Sequence, residues 1–202
     1  MRTTSENAQR AIADAALITF GNRGYGLATL EEIGAQVGLT RGAVLHHFRS
    51  KAGLLAAVVG PCRLALAQLV MITPLSNPPT DDQRRQLLTS CADAFGVHRG
   101  ALGLLLSDIS ARIQLGLDDQ WFMPWERLVT LLVGSHADHL DRIRAAAAIG
   151  ALIQPVSWTW VDLDNARTRG ALIEAAVAVL AETSATDTAP SMVLGVAPQA
   201  VG

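Results

Sequence analysis

Between Thr29 and Phe48 the apolar and polar positions follow a pattern that predicts two short helices around a tight turn. Leu30, Ile33 and Val37 recur at helical spacing and give the first helix one apolar face. Thr29 is a favourable N-cap, and Glu32 three residues on completes a capping box. Gly38 follows where a helix C-terminus calls for a residue free to take positive φ. Leu39 re-enters the core, and Thr40 caps a second helix through Arg41, Gly42, Ala43, Val44, Leu45 and His46. Helix, glycine turn and capped helix is the layout of a DNA-reading helix-turn-helix. An ordinary pair of core helices shares the spacing, so the surroundings must decide.

Upstream, Ile12, Ala15, Ala16 and Phe20 make an amphipathic helix over Glu6 to Phe20, and Gly21 to Gly26 form a loop. Downstream, Lys51 to Ile72 is a long apolar helix in which Pro61 predicts a kink or a restart. The segment from Thr73 to Thr80 carries three prolines and reads as a loop. Further helices are predicted over Asp81 to His98, with Leu87, Leu88, Cys91 and Phe95 on one face, and over Gly100 to Leu115. Pro124 suits the first turn of the next helix, which continues through Leu128, Leu131 and Leu132. Two long helices close the ordered part, Asp138 to Leu163 and Asn165 to Glu182. The expected fold is all-α: a three-helix DNA-binding domain over 1–55, a helical domain over 56–183, and a disordered Ala-, Ser- and Pro-rich tail over 184–202.

The run from about Arg10 to Leu55, including Gly24, Tyr25, Phe48 and Ser50-Lys51, closely resembles the N-terminal domain of the TetR family of transcriptional repressors. Leu45 departs from the family pattern, which usually has an aromatic that reaches the DNA backbone; His46 and His47 are the nearest replacements. Gly53 replaces the acidic residue usual after the lysine. The resemblance implies a homodimer on a palindromic operator, released by a small-molecule effector. It also implies that the last two long helices form the dimer interface, which assigns Leu152, Val156, Trp160, Leu172, Ile173, Ala176, Val179 and Leu180 to that surface.

The charge distribution agrees with this reading. The net charge is only −2, but residues 1–55 carry six Lys or Arg against four Asp or Glu, a local +2. Aromatics are sparse, so Ala, Leu, Val and Ile make the core, a set that favours helices. Cys62 and Cys91 have no CxxC or metal-type spacing and read as buried thiols in a reducing cytoplasm. The uncharged run from Ala145 to Val161 is too short and too interrupted for a membrane span. No Gly-rich phosphate loop, HExxH or GxSxG occurs, and His136-x-x-His139 lacks a third ligand, so neither catalysis, cofactor nor metal is expected.

In such a motif the second helix enters the major groove. Thr29, Thr40 and Lys51 stand at helix N-termini, where backbone N–H groups hold phosphates. Arg41 suits the O6 and N7 of guanine, Gly42 and Ala43 let the helix lie close, and Leu45, His46 and His47 follow on the same helix. All four tryptophans fall between 121 and 160. With Phe95, Phe122, Met123 and Pro155, three of them (Trp121, Trp125 and Trp158) suggest a pocket for a small apolar effector. A core or interface use of these rings is the competing reading. The competing function is an all-helical carrier or enzyme whose helix pair is structural only; an activator, or a regulator without ligand, also fits the pattern.

Overall fold

The computed structural model describes residues 4–116, 119–157 and 161–181, with the side chains of Thr4 and of residues 119–122 left out. Among these residues the chain is helical throughout its regular structure: α1 (Thr4–Arg23), α2 (Leu30–Gln36), α3 (Arg41–Phe48), α4 (Lys51–Ile72), α5 (Asp81–Val97), α6 (Arg99–Ser107), α7 (Ile109–Leu115), α8 (Asp119–Val133), α9 (His139–Val156) and α10 (Ala166–Ala181). The all-α expectation holds.

The first three helices pack around the start of α4. Ile12, Ala16 and Phe20 of α1, Leu30 and Ile33 of α2, Val44 of α3 and Leu54 and Leu55 of α4 are all buried in one cluster. Thr19, buried on α1, donates to the Ala15 carbonyl at 2.8 Å and accepts from Gln36 Nε2 at 2.7 Å, which fastens α2 to α1. The helix α4 then carries the chain from this head into the body, where it packs on α5, α6, α7 and α8. Its length and hydropathy would suit a membrane span, but its inward face continues the core through Val59, Cys62 and Leu66.

In the body, α10 lies along α9 and against α5. Arg85 of α5 pairs with Glu174 of α10, and Arg169 reaches Asp93 at 3.5 Å. Arg142 of α9 joins Glu126 of α8 at 2.6 Å, and Arg84 donates to the Leu132 carbonyl at 3.0 Å.

Several elements differ from the sequence pattern, each for a physical reason. Gly21 does not end α1, which runs to Arg23 and stops at Gly24, whose φ is +78°. Pro61 neither ends nor restarts α4; the carbonyl it deprives belongs to Ala57, an exposed residue whose carbonyl is open to solvent, so the lost N–H costs little. Gly100 to Leu115 is not one helix. Asp108 adopts an extended conformation, ends α6 and caps α7 by accepting from the Ala111 N–H at 3.0 Å. Pro124 lies inside α8 rather than in its first turn, and α9 ends at Val156, earlier than the sequence pattern predicts. The tail over 184–202 lies outside the described residues.

Candidate nucleic-acid interface

The helix-turn-helix closes as its sequence prescribes. Thr29 accepts from the Glu32 N–H at 3.2 Å while Glu32 Oε2 accepts from the Thr29 N–H at 3.0 Å, so both arms of the capping box form. The exposed Glu32 carboxyl is held below its usual range, first by that backbone hydrogen bond, with Thr29 and Arg23 adding to it. Gly38 takes φ +70°, and the Leu39 N–H donates to the Gly34 carbonyl at 2.8 Å. Thr40 caps α3 by accepting from the Ala43 N–H at 3.2 Å.

The turn depends on Gly34, which the periodicity did not single out. A Cβ there would stand 2.5 Å from the Leu39 carbonyl oxygen and 3.2 Å from Val44 Cγ2. The two helices therefore meet at a distance only a hydrogen side chain permits.

On α3 the fully buried position is Val44, and Arg41, Gly42 and His46 face outward. Ala43, Leu45 and His47 are half-buried, with Leu45 and Phe48 packed against the core. Leu45 thus serves as a packing residue where a hydrogen-bonding aromatic was the family expectation. His46 and His47 lie edge to face, ring centroids 5.7 Å apart. Arg41 Nε lies 3.2 Å from Glu31 Oε1 in the first turn of α2, an exposed pair of little energetic gain. Arg49 ends α3 with φ +60°, an uncommon conformation for a residue with a side chain, and it stays exposed.

Lys51 opens α4 behind a Ser50 cap, whose Oγ accepts from the Gly53 N–H at 2.9 Å. Gly53 has its own reason to lack a side chain: a Cβ would meet the Phe48 carbonyl oxygen at 2.5 Å. Lys51 Nζ donates to the Gly26 carbonyl at 3.1 Å and stands 4.6 Å from the Tyr25 ring centroid. Burial lowers its pKa, against the pull of Asp108 and Glu32. One of its three ammonium donors is used internally, which leaves two for a phosphate.

The expected effector residues are divided by the structure. Phe95 is buried and stacks on half-buried Trp125, centroids 5.8 Å apart at 29°. Trp125 lines a cavity of about 190 Å³ with Cys62 and Leu66 of α4, Leu102 of α6, Arg112 of α7 and Ile153 of α9. Pro155 is half-buried and away from that lining, and Met123 is 67% exposed. The side chains of Trp121 and Phe122, and all of Trp158 and Trp160, lie outside the described residues.

Of the expected interface residues, Leu152, Val156, Ala176 and Leu180 are already buried within one chain, while Leu172, Ile173 and Val179 are half-buried. The outward positions of the same two helices include Leu140, Ile143, Ala147 and Gly150 on α9 and Ala171, Ala175 and Ala178 on α10, together with the polar His139, Gln154, Arg167, Arg169 and Glu174.

A capped helix-turn-helix head on an all-helical body is the architecture of the helix-turn-helix class of DNA-binding transcriptional regulators. Residues 12–58 match the family described as bacterial regulatory proteins, tetR family. The HTH-type transcriptional regulator BetI of Cronobacter sakazakii is 25% identical over 174 residues, which is 79% of this chain and 85% of that protein. Among solved structures, AmtR of Mycobacterium smegmatis superposes with a TM-score of 0.66 at 20% identity over 89% of this chain and 86% of that one. NalD, the secondary repressor of the MexAB-OprM multidrug efflux pump in Pseudomonas aeruginosa, does so at 0.61 and 23%, over 88% and 97% of the two chains. Residues 12–58 therefore carry a TetR-type DNA-binding module, and the whole chain shares the fold of TetR-type transcriptional regulators.

Proposed function

We propose that this chain is a cytoplasmic repressor that binds a palindromic operator as a homodimer and leaves it when a small, largely apolar effector fills the body. The observation that carries the reading is α3: it buries Val44, turns Arg41, Gly42 and His46 outward, and starts at a Thr40 cap. Residues 1–55 read the DNA in this scheme, and 56–183 bind effector and partner. Arg41 reads a base, Gly42 and Ala43 allow close approach, and Thr29, Thr40, His46, His47 and Lys51 hold phosphates.

The α9–α10 pair supports the dimer. Apolar or small residues run along its outward side from Leu140 and Ile143 to Ala171, Ala175 and Ala178, beside exposed Arg167, Arg169 and Glu174, which suits helix packing against a second copy with a charged rim and half-buried Leu172, Ile173 and Val179 at its border. The cavity floored by Leu66, Leu102 and Trp125 supports the effector role. An effector acts only by binding one of two conformers more tightly, here the one whose reading helices no longer match successive major grooves.

The test is a fluorescence-anisotropy titration against DNA flanking the protein's own gene and against sites selected from random DNA. Tight binding to one palindrome, falling linearly in log K with log salt, is the expected result. Arg41→Ala should weaken it by about 1–3 kcal/mol and relax preference at one base pair of each half-site. Failure to select any site, with Arg41→Ala without effect, would sink the repressor reading in favour of a carrier.

A further inference from the structure

The cavity between α4, α6, α7, α8 and α9 has an uneven lining. Its floor is apolar, with Leu66, Leu102 and Cys62 buried and Trp125 half-buried. Arg63 of α4 and Arg112 of α7 line it as well, and both are exposed, which puts them at the mouth. No Asp or Glu is among the described residues that line it. The Cys62 thiol is pushed up to about 11 by burial and stays neutral at physiological pH, so it offers no negative charge either.

We propose that this cavity takes a small anionic amphiphile, a carboxylate whose single ring or short acyl chain lies on Leu66, Leu102 and Trp125 and whose head is held by Arg63 and Arg112. The inference rests on the effector role proposed for the same cavity and names the chemistry of its ligand. Guanidinium groups keep their charge at any accessible pH and present paired donors that match a carboxylate. Two of them at the mouth of an apolar hollow favour an anion and oppose a cation, and a head bound between α4 and α7 would draw those helices together. Size sets the body of the ligand. A dry apolar cavity of about 150 Å³ holds a benzene ring, so about 190 Å³ admits one ring or a short chain and excludes large polycyclic compounds.

Calorimetric titration of the full chain with benzoate and octanoate, beside benzyl alcohol, octanol and benzylamine, tests the assignment. The carboxylates should bind at least about tenfold more tightly than the alcohols of equal size, with benzylamine weakest. Arg112→Gln and Arg63→Gln, each with an unchanged melting temperature, should abolish that preference while leaving the alcohols unaffected. Because Arg112 is exposed on a short helix, its variant remains informative if the Arg63 variant fails to fold. Operator release, followed by anisotropy in the same solutions, separates the two readings. Alcohols that bind as tightly as the acids and release operator overturn the anionic ligand and leave the effector cavity standing. Acids that bind through the arginines without releasing operator support the ligand class and remove its effector role. Binding by no probe of either class overturns both.

Discussion

Asp108 and Tyr25 lie 83 positions apart, yet the Tyr25 backbone N–H donates to Asp108 Oδ2. The other carboxylate oxygen accepts from Ser110 Oγ at 2.5 Å and from the Ala111 N–H at 3.0 Å. One side chain therefore caps α7 and holds the turn between α1 and α2. Arg112, at the cavity mouth, lies one turn along α7 from Asp108, its N–H donating to the Asp108 carbonyl at 3.2 Å. Movement of α7 in response to a ligand would reach the DNA-binding head through this carboxylate.

Removing it should uncouple the two halves. Asp108→Ala loses the α7 cap and strands the Tyr25 N–H, a combined cost of about 2–4 kcal/mol. Urea denaturation should show that loss, and an effector that releases operator from the parent chain should do so less completely from the variant. Unchanged stability and unchanged release would show that the contact carries neither.

The same carboxylate predicts a pH dependence. Burial raises the Asp108 pKa, but the hydrogen bonds from Ser110, Tyr25 and Ala111 outweigh it and hold the group below the ordinary aspartate range. A depressed folded-state pKa gives stability that is present above the unfolded value, about pH 4, and is lost as pH falls through the folded one. Urea midpoints measured from about pH 6 to pH 3 should fall more steeply for the parent than for Asp108→Asn.

Two glycines of the helix-turn-helix should respond in opposite ways. Gly34→Ala forces a methyl against the Leu39 carbonyl and should cost about 1–3 kcal/mol, or several degrees in melting temperature. Gly42→Ala meets nothing closer than Thr40 Oγ1 at 3.8 Å and should stabilise α3 by about 0.5–1 kcal/mol. Its added methyl faces the proposed groove, so operator affinity should drop although the fold is firmer. Thermal melts paired with anisotropy distinguish the two effects.

Thr40→Ala removes the cap of the reading helix and should cost about 1 kcal/mol of stability. Operator affinity should fall further than stability alone explains, because the capped N-terminus is also a proposed phosphate contact.

Both cysteines should resist alkylation. Burial pushes Cys62 up to about 11 and Cys91 up to about 12, so the thiolate fraction at pH 8 is on the order of one in a thousand or less. Iodoacetamide should label both quickly in urea and slowly in buffer. Rapid labelling of Cys62 in buffer would mean that the cavity floor opens.

The head was legible because its signals are local. A cap, its partner three residues on and a glycine at a fixed offset act within one turn of helix, so Thr29, Glu32, Gly38 and Thr40 could be read from neighbours alone. The body was harder to read. Gly100 to Leu115 has no proline or turn cluster to break it, and at the break Asp108 both caps α7 and accepts from the Tyr25 N–H of a distant part of the chain, a contact the local sequence does not announce. The tryptophan-rich stretch announced large side chains but not their direction; Trp125 turns to Phe95 and the cavity, while Met123 beside it faces solvent. Likewise, the family resemblance assigned Ala176 and Leu180 to a dimer surface, and packing of α10 against α5 and α9 shows that both point into the chain's own core.

Helix type, helix caps and the DNA-reading motif are consequences of interactions between residues a few positions apart, which the order of amino acids states directly. The close approach at Gly34 arises where two helices meet across a turn, and the Asp108 link and the arginine-rimmed cavity where segments tens of residues apart meet; their existence depends on how the described helices share one core.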